Sequence, residues 1–286
     1  MTAYPPDMSY SFSMINLVKL LPDWSWPGFD QVMAQTGTNR VELVPSMVLG
    51  VDWDLQIGAQ SGPVQNALER LLKQYEVASI QSLTYGLQIN LADPLTNHPE
   101  LLTRLQALAV LGKTIGCSVF ILGSPGQKKL LNRSMSHEEH KQRFIDNCRW
   151  MANTLGPKLV LSLEHNTITQ GAEYCNTLED IIDVVTTLKR YGVANVGLNL
   201  DTKCLIQEYG GDMQIANILR MHGLLEVITS IQVSYDFLAR DVPHSASDQR
   251  QLRAFALARN LPISLEEFGL LGNQVVSFVD IWRSNQ

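Results

Sequence analysis

Clustered positive charge, paired cysteines and long apolar runs are all missing from this chain of 286 residues. The 22 lysines and arginines are scattered and outnumbered by 28 acidic residues, for a formal net charge of -6. A protein that lives on phosphate-backbone contacts needs a basic patch or stripe, so nucleic-acid binding is not expected. No apolar stretch reaches the roughly 20 residues that span a bilayer. The N-terminal MTAYPPDMSYSF has neither the basic start nor the apolar core of a secretory leader, which predicts a cytoplasmic protein. The four cysteines, Cys117, Cys148, Cys175 and Cys204, contain no CxxC pair. That excludes a zinc ribbon or dithiol redox motif and predicts reduced thiols, the first three as small buried hydrophobes. No GxGxxG turn is present, so the phosphate-binding signature of a doubly wound dinucleotide fold is missing.

What the chain does have is alternation. Short apolar runs predict strands at 10–17, 39–44, 77–83, 117–123, 158–164, 195–201, 227–234 and 261–266. Amphipathic patterns predict helices near 28–37, 62–76, 98–116, 136–155, 177–191, 212–223, 244–259 and 273–284. Ser136 with Glu139 three residues on forms a capping box, Pro99 suits the first turn of a helix, and Gly192 follows LKRY as at a helix C-terminus. Eight strands alternating with eight helices predict an α/β fold closed into a (β/α)8 TIM barrel, read as a single domain over 1–286. The most irregular connections fall near 45–60, 85–97 and 236–245.

In such a barrel the chemistry is placed at the C-terminal ends of strands. Four apolar runs end there on a carboxylate or an amide: Glu164 in KLVLSLEHN, Asp201 in NVGLNLDT, Gln232 in ITSIQVSYD and Glu266 in LPISLEEFG. Three converging carboxylates repel one another unless a cation or a shared proton intervenes. Hard oxygen donors suit Mg²⁺ or Mn²⁺. A cation held by Glu164, Asp201 and Glu266 would polarise a carbonyl, and the same carboxylates would move protons on a neighbouring carbon.

Other residues carry two readings each. Gly123 and Gly126 in GSPGQKK open the backbone to a ligand, and Lys128 or Lys129 adds charge for a phosphate or carboxylate; the same loop is also an ordinary βα turn. Gln81 is a polar residue inside an apolar strand and so a candidate barrel-lining group, with Tyr85 just past the strand end. His244 lies beyond strand 7, where it either meets substrate or caps a helix. His137 and His140 read as a solvated helix face, and His165 points to the opposite side of its strand from Glu164. Trp24 and Trp26 either present aromatic faces to a sugar or staple a loop to the barrel. Cys204 is either an inert buried thiol or a soft ligand.

The segments VASIQSLTYG, FILGSPGQKK, LEHN with GAEYCNT, LNLDT, VSYDFLA and ISLEEF together resemble the xylose isomerase-like TIM barrels, over nearly the whole chain. That superfamily contains sugar and sugar-phosphate isomerases and epimerases, and also apurinic endonucleases. The resemblance implies a divalent metal (Mn²⁺ or Mg²⁺ foremost, Zn²⁺ or Co²⁺ next) at Glu164, Asp201, Gln232 and Glu266, with Glu164 and Glu266 as the acid/base pair. It implies substrate-binding roles for Ser124 and Lys128 in the GSP loop and for Asn166, beside Gln81 and His244. A dimer or tetramer is common in the family, so a homo-oligomer is expected.

Two positions depart from the family pattern. Gln232 stands where many members have a histidine ligand, and Cys204 stands where many have a histidine three residues after the strand 6 aspartate. The leading expectation is therefore a metal-assisted isomerase or epimerase of a small sugar or sugar phosphate. The alternative is a degenerate barrel that binds a sugar-like metabolite without turnover. An apurinic endonuclease is a distant third, since it needs a histidine-rich multi-zinc site and this acidic chain has six scattered histidines.

Overall fold

The computed structural model of the protein describes residues 9–17, 24–58, 61–131, 134–210, 213–267 and 273–284. Eight parallel strands close into a barrel in sequence order: β1 (Ser11–Ser13), β2 (Arg40–Leu43), β3 (Glu76–Ile80), β4 (Val119–Leu122), β5 (Val160–Glu164), β6 (Val196–Asp201), β7 (Ile228–Val233) and β8 (Ile263–Leu265). Closure is made by β8 pairing with β1, Ser264 opposite Ser11 and Leu265 opposite Phe12. Seven strands fall inside a run predicted from the sequence, and β3 begins one residue before its run of 77–83. The first is shorter than expected, because the chain turns into a 3-10 segment at Met14–Leu17.

The outer ring contains α1 (Trp26–Thr36), α2 (Pro63–Gln74), α3 (Pro99–Ile115), α4 (His137–Leu155), α5 (Leu178–Arg190), α6 (Thr202–Tyr209), α7 (Ser245–Ala258) and α8 (Asn273–Ser284). Their ends follow local chemistry. Ser136 and Glu139 make the reciprocal capping box of α4, with Glu139 N donating to Ser136 Oγ at 3.2 Å and Ser136 N to Glu139 Oε2 at 2.7 Å. Pro99 opens α3, and Gly192, at φ +83, follows the end of α5. The helix expected at 212–223 is absent from that place. Of that stretch, 213–223 contains one short turn, Ile215–Ile218, while the longer helix α6 begins directly after β6. The cause is Asp201, whose side chain accepts from Lys203 N at 2.8 Å and caps α6.

Barrel interiors of this kind are commonly packed with branched aliphatic side chains. Here the interior is polar with a period of two. Ser79 and Gln81, Ser162 and Glu164, Asn199 and Asp201, Ser230 and Gln232, and Ser264 and Glu266 alternate with Ile80, Leu163, Leu200, Ile231 and Leu265, which are all buried. Bonds between non-adjacent strands prove the inward direction: Ser162 Oγ to Ser230 Oγ at 3.0 Å, and Gln232 Nε2 to Glu42 Oε1 at 2.9 Å. Two register shifts aim this polar set. An extra residue in β3, Ala78, brings Ser79 opposite Glu42, and an extra residue in β7, Thr229, brings Ser230 opposite Asn199. The apolar partner positions form one core with the inner helix faces. Among the described residues no helix is long and apolar enough to cross a membrane.

Candidate active site

Two polar clusters meet at the C-terminal mouth of the barrel. The first is built on β5 and β6. Glu164 ends β5, Asp201 ends β6, and Cys204 lies on the first turn of α6; one ligand atom from each lies within 4.8 Å of the others. The Cys204 thiol donates to Asp201 Oδ2 at 3.0 Å and lies 3.8 Å from Glu164 Oε1. Asn166 Nδ2 donates to Glu164 Oε1 at 2.7 Å, and Asn166 Oδ1 accepts from Ser124 N at 3.1 Å. Gln170 reaches Cys204 Sγ through Nε2 at 3.3 Å. Gly123 completes this half, because a Cβ there would stand 2.0 Å from Glu164 Oε2. Only a residue without a side chain lets that carboxylate lie against the end of β4.

The second cluster joins β2, β3, β7 and β8. Gln232 donates from Nε2 to Glu42 Oε1 at 2.9 Å and also to Glu266 Oε2, while its carbonyl oxygen accepts from Asn199 Nδ2. Gln81 Nε2 reaches Glu42 Oε1 at 2.8 Å, Glu266 Oε2 at 3.2 Å and Ser13 Oγ at 2.5 Å. Ser79 Oγ donates to Glu42 Oε2 at 2.8 Å. The amide orientation of Gln232 follows from these partners, since the opposite one would set its oxygen against two carboxyl groups.

Electrostatics follow from burial and like charge. Glu164 is pushed up to about 8, first by burial and then by the Asp201 charge, with Lys128 pulling the other way. Glu266 is raised well above the usual carboxylate range by burial and by the charges of Glu42, Glu164 and Asp201. Asp201 is raised by burial, against the Cys204 and Lys203 hydrogen bonds that favour its ionised form. Burial and the two neighbouring carboxylates also hold the Cys204 thiol well above its ordinary value. Each of these shifts opposes negative charge, and a bound cation would reverse all of them. Two carboxylates and a thiol that converge within 4.8 Å fit a divalent ion of borderline softness better than Mg²⁺.

The predicted site residues divide accordingly. Glu164, Asp201 and Asn166 come together, and Ser124 joins them through Asn166 and through Thr84 Oγ1 at 2.8 Å. Glu266 and Gln81 lie in the other half. Gln232 is bound into the second cluster, its carbonyl oxygen accepting from Asn199 Nδ2 and its amide nitrogen facing Glu42 and Glu266, and it is not part of the Glu164–Asp201–Cys204 group. Lys128 is not presented to the mouth: it is fully buried, with Nζ donating to the Glu164 backbone oxygen at 3.0 Å and lying 5.4 Å from the centroid of the Phe144 ring. Burial lowers its pKa. His244 Nε2 lies 2.9 Å from Met213 O and 3.7 Å from Asp248 Oδ2, a loop contact rather than a bond to either cluster. His165 faces away from Glu164 as expected, fully buried, with its pKa pushed down to about 3 chiefly by burial. His140 corrects the solvated reading: it is fully buried, its Nδ1 2.8 Å from Ser136 O and its Nε2 accepting from Leu131 N at 3.0 Å. Trp24 and Trp26 pack edge to face with each other and both against Phe29, which favours the loop staple.

Glu42, Asn199 and Gln170 escaped the sequence reading. A signal for Glu42 exists, a carboxylate between Val41 and Leu43 in an apolar strand, and Asn199 sits likewise between Leu198 and Leu200. Gln170 carries no such mark.

The sequence matches no protein-family model and no curated protein. Solved structures are similar over almost the whole chain. The 3-keto-D-glucoside 4-epimerase YcjR from E. coli, in apo form, is 13% identical with a TM-score of 0.63, covering 98% of this chain and 99% of that one. The IOLI protein with a bound zinc atom is 15% identical with a TM-score of 0.61, covering 97% and 96%. A xylose isomerase-like TIM barrel protein from Mycobacterium smegmatis in complex with magnesium is 13% identical with a TM-score of 0.60, covering 96% and 97%. The closed eight-stranded barrel of this chain is the fold of the xylose isomerase-like TIM barrels.

Proposed function

We propose that the protein is a metal-assisted isomerase or epimerase of a small sugar, working by proton transfer at a carbon next to a carbonyl. The observation that carries this reading is the pair Glu164 and Glu266, two carboxyl groups on different sides of one polar mouth, each oriented by side-chain amide donors. Glu164, fixed by Asn166 and by the gap at Gly123, takes the proton from the substrate carbon. Glu266, held by Gln81 and Gln232, returns a proton to the other face or to the adjacent carbon. Glu164, Asp201 and Cys204 would hold the divalent ion, which would supply Lewis-acid polarisation of the carbonyl when bound. The epimerase among the structural neighbours supports this chemistry by analogy of fold. On this reading the partner is a small molecule, the protein is cytoplasmic, and neither nucleic acid nor membrane is involved; self-assembly into a homo-oligomer belongs to the same proposal.

The alternative, a barrel that binds a sugar-like metabolite without turnover, is favoured by one observation, the closure of Gln232 into hydrogen bonds with Asn199, Glu42 and Glu266. The two readings separate in one experiment. The protein, loaded with Zn²⁺ or Mn²⁺, is incubated with a panel of ketoses and 3-keto-glycosides in D₂O. Deuterium entering the carbon next to the carbonyl, with loss of exchange in Glu164→Gln, is the expected result. Ligand binding without exchange for any member of the panel removes the isomerase and leaves the binding barrel.

A further inference from the structure

The loops after β2 and β3 enclose a groove beside the mouth that the proton-transfer chemistry does not use. It has a volume of about 600 Å³ and is lined by Val51, Leu55, Tyr85, Glu100 and Arg104 among others. A smaller cavity of about 240 Å³ lies against Gly123 and Ser124. Tyr85 and Gly86 line both, so the two adjoin at that turn, and Gly123 at the far side of the smaller one lies against the Glu164 carboxylate.

Three facts describe what the groove accepts. One part of its wall is apolar and open to solvent: Val51, Leu55 and Tyr85 are 75%, 73% and 65% exposed. A tight cluster of large exposed apolar side chains marks a binding surface more often than a random one. The walls are also preformed. Arg104 is buried, with Nε donating to Asp54 Oδ2 at 2.5 Å, Nη1 donating to Tyr85 O at 3.2 Å, and its guanidinium over the Trp53 ring, so it ties the β2 loop to the β3 loop. Finally, the charge is wrong for an anion. Asp52 and Glu100 line the groove, and the neighbouring cations are committed elsewhere. Among the described residues next to the mouth, Arg104 pairs with Asp54, Lys129 with Glu173, Lys203 with Glu267 and Arg240 with Asp248, and Lys128 is buried on the Glu164 backbone.

We propose that the substrate is an uncharged keto-glycoside with an apolar or aromatic aglycone, the sugar in the cavity at Gly123 and Ser124 and the aglycone along Val51, Leu55 and Tyr85, and that it is not a phosphate ester; plain glycosides serve as unreactive probes of that binding. The proposal rests on reading the mouth as a sugar site. It adds a specificity element outside the carboxylate clusters.

The test compares 4-nitrophenyl with methyl glycosides of glucose, galactose and xylose, and glucose with glucose 6-phosphate, by titration calorimetry on the full chain. At least one aryl glycoside binds about tenfold tighter than its methyl partner, the gain expected when about 60 Å² of apolar surface leaves water. Leu55→Ser and Val51→Ser, both at exposed positions that do not threaten the fold, bring the aryl preference to within about twofold of parity. Parity in the native protein, preference retained in both variants, no glycoside binding, or glucose 6-phosphate binding more tightly than glucose each overturns the proposal. Aryl preference without deuterium exchange removes the isomerase reading and leaves the groove standing. Exchange on a free ketose with no aryl preference overturns the groove alone.

Discussion

Replacing Gly123 by alanine tests how closely the Glu164 carboxylate is placed. The Gly123 backbone is not among the positive-φ positions, so alanine meets no conformational penalty there. The cost is steric and falls on one group. The added Cβ would lie 2.0 Å from Glu164 Oε2 and 2.7 Å from its Cδ, so the carboxylate must retreat by about 1.4 Å to regain an ordinary 3.4 Å contact. That movement breaks the 2.7 Å bond from Asn166 and the approach of the Cys204 thiol. A forced rotamer costs about 1 kcal/mol, which lowers the melting temperature by roughly 2–4 °C in a chain of this size. A displacement of about 1 Å at a reacting group costs on the order of a hundredfold in rate. The expected result is a folded variant whose deuterium-exchange rate falls about a hundredfold and whose Zn²⁺ affinity falls with it. Exchange within threefold of the native rate, or a melting temperature lowered by much more than 10 °C, would show that Glu164 is not placed as described.

Glu42 makes a second test, since it is fully buried and accepts from Ser79, Gln81 and Gln232. Glu42→Ala removes one acceptor from each of these donors, leaves a cavity and destabilises by about 3 kcal/mol in urea unfolding, whereas Glu42→Gln keeps the volume and loses less than half of that; equal losses would refute the network. Cobalt loaded in place of the native ion gives a thiolate-to-metal charge-transfer band if Cys204 is a ligand, and Cys204→Ser abolishes it; a band that persists in the variant assigns the thiolate elsewhere. Protonation supplies the last prediction. Glu164 has its folded pKa raised to about 8 from 4.5, so between those values the folded state binds more protons than the unfolded one, and stability falls as pH rises towards 8. His165, with its folded pKa near 3, acts oppositely and only below about pH 6.5. Urea midpoints of the metal-free protein therefore decline from pH 6.5 to 8.5, and Zn²⁺ flattens the decline; a midpoint that rises over this range contradicts the assignment.

The barrel was legible because its signals are local. Each strand is a short apolar run and each helix an amphipathic one; Ser136 and Gly192 mark ends through bonds to residues three positions away, and Pro99 through its fixed φ and missing N–H. The strand-end rule then singles out Glu164, Asp201 and Glu266 from the order of residues alone. What those side chains touch is decided across the barrel, between residues far apart in the chain. Glu42 and Gln232 are separated by 190 positions, Gln81 and Glu266 by 185, and no periodicity announces either pair. Lys128 in its glycine-rich turn reads as an open cation, but the packing of Phe144 and the Glu164 carbonyl draw it inward. Gln232 reads from the sequence as a strand-end ligand, while its hydrogen bonds to Asn199 and Glu42 appear only in the closed barrel. Composition, capping and hydrophobic period determined a closed α/β barrel with acids at its mouth. Tertiary packing alone decided which acids share a cation, which share hydrogen bonds, and where the apolar wall beside them lies, because those choices depend on distances that only chain closure sets.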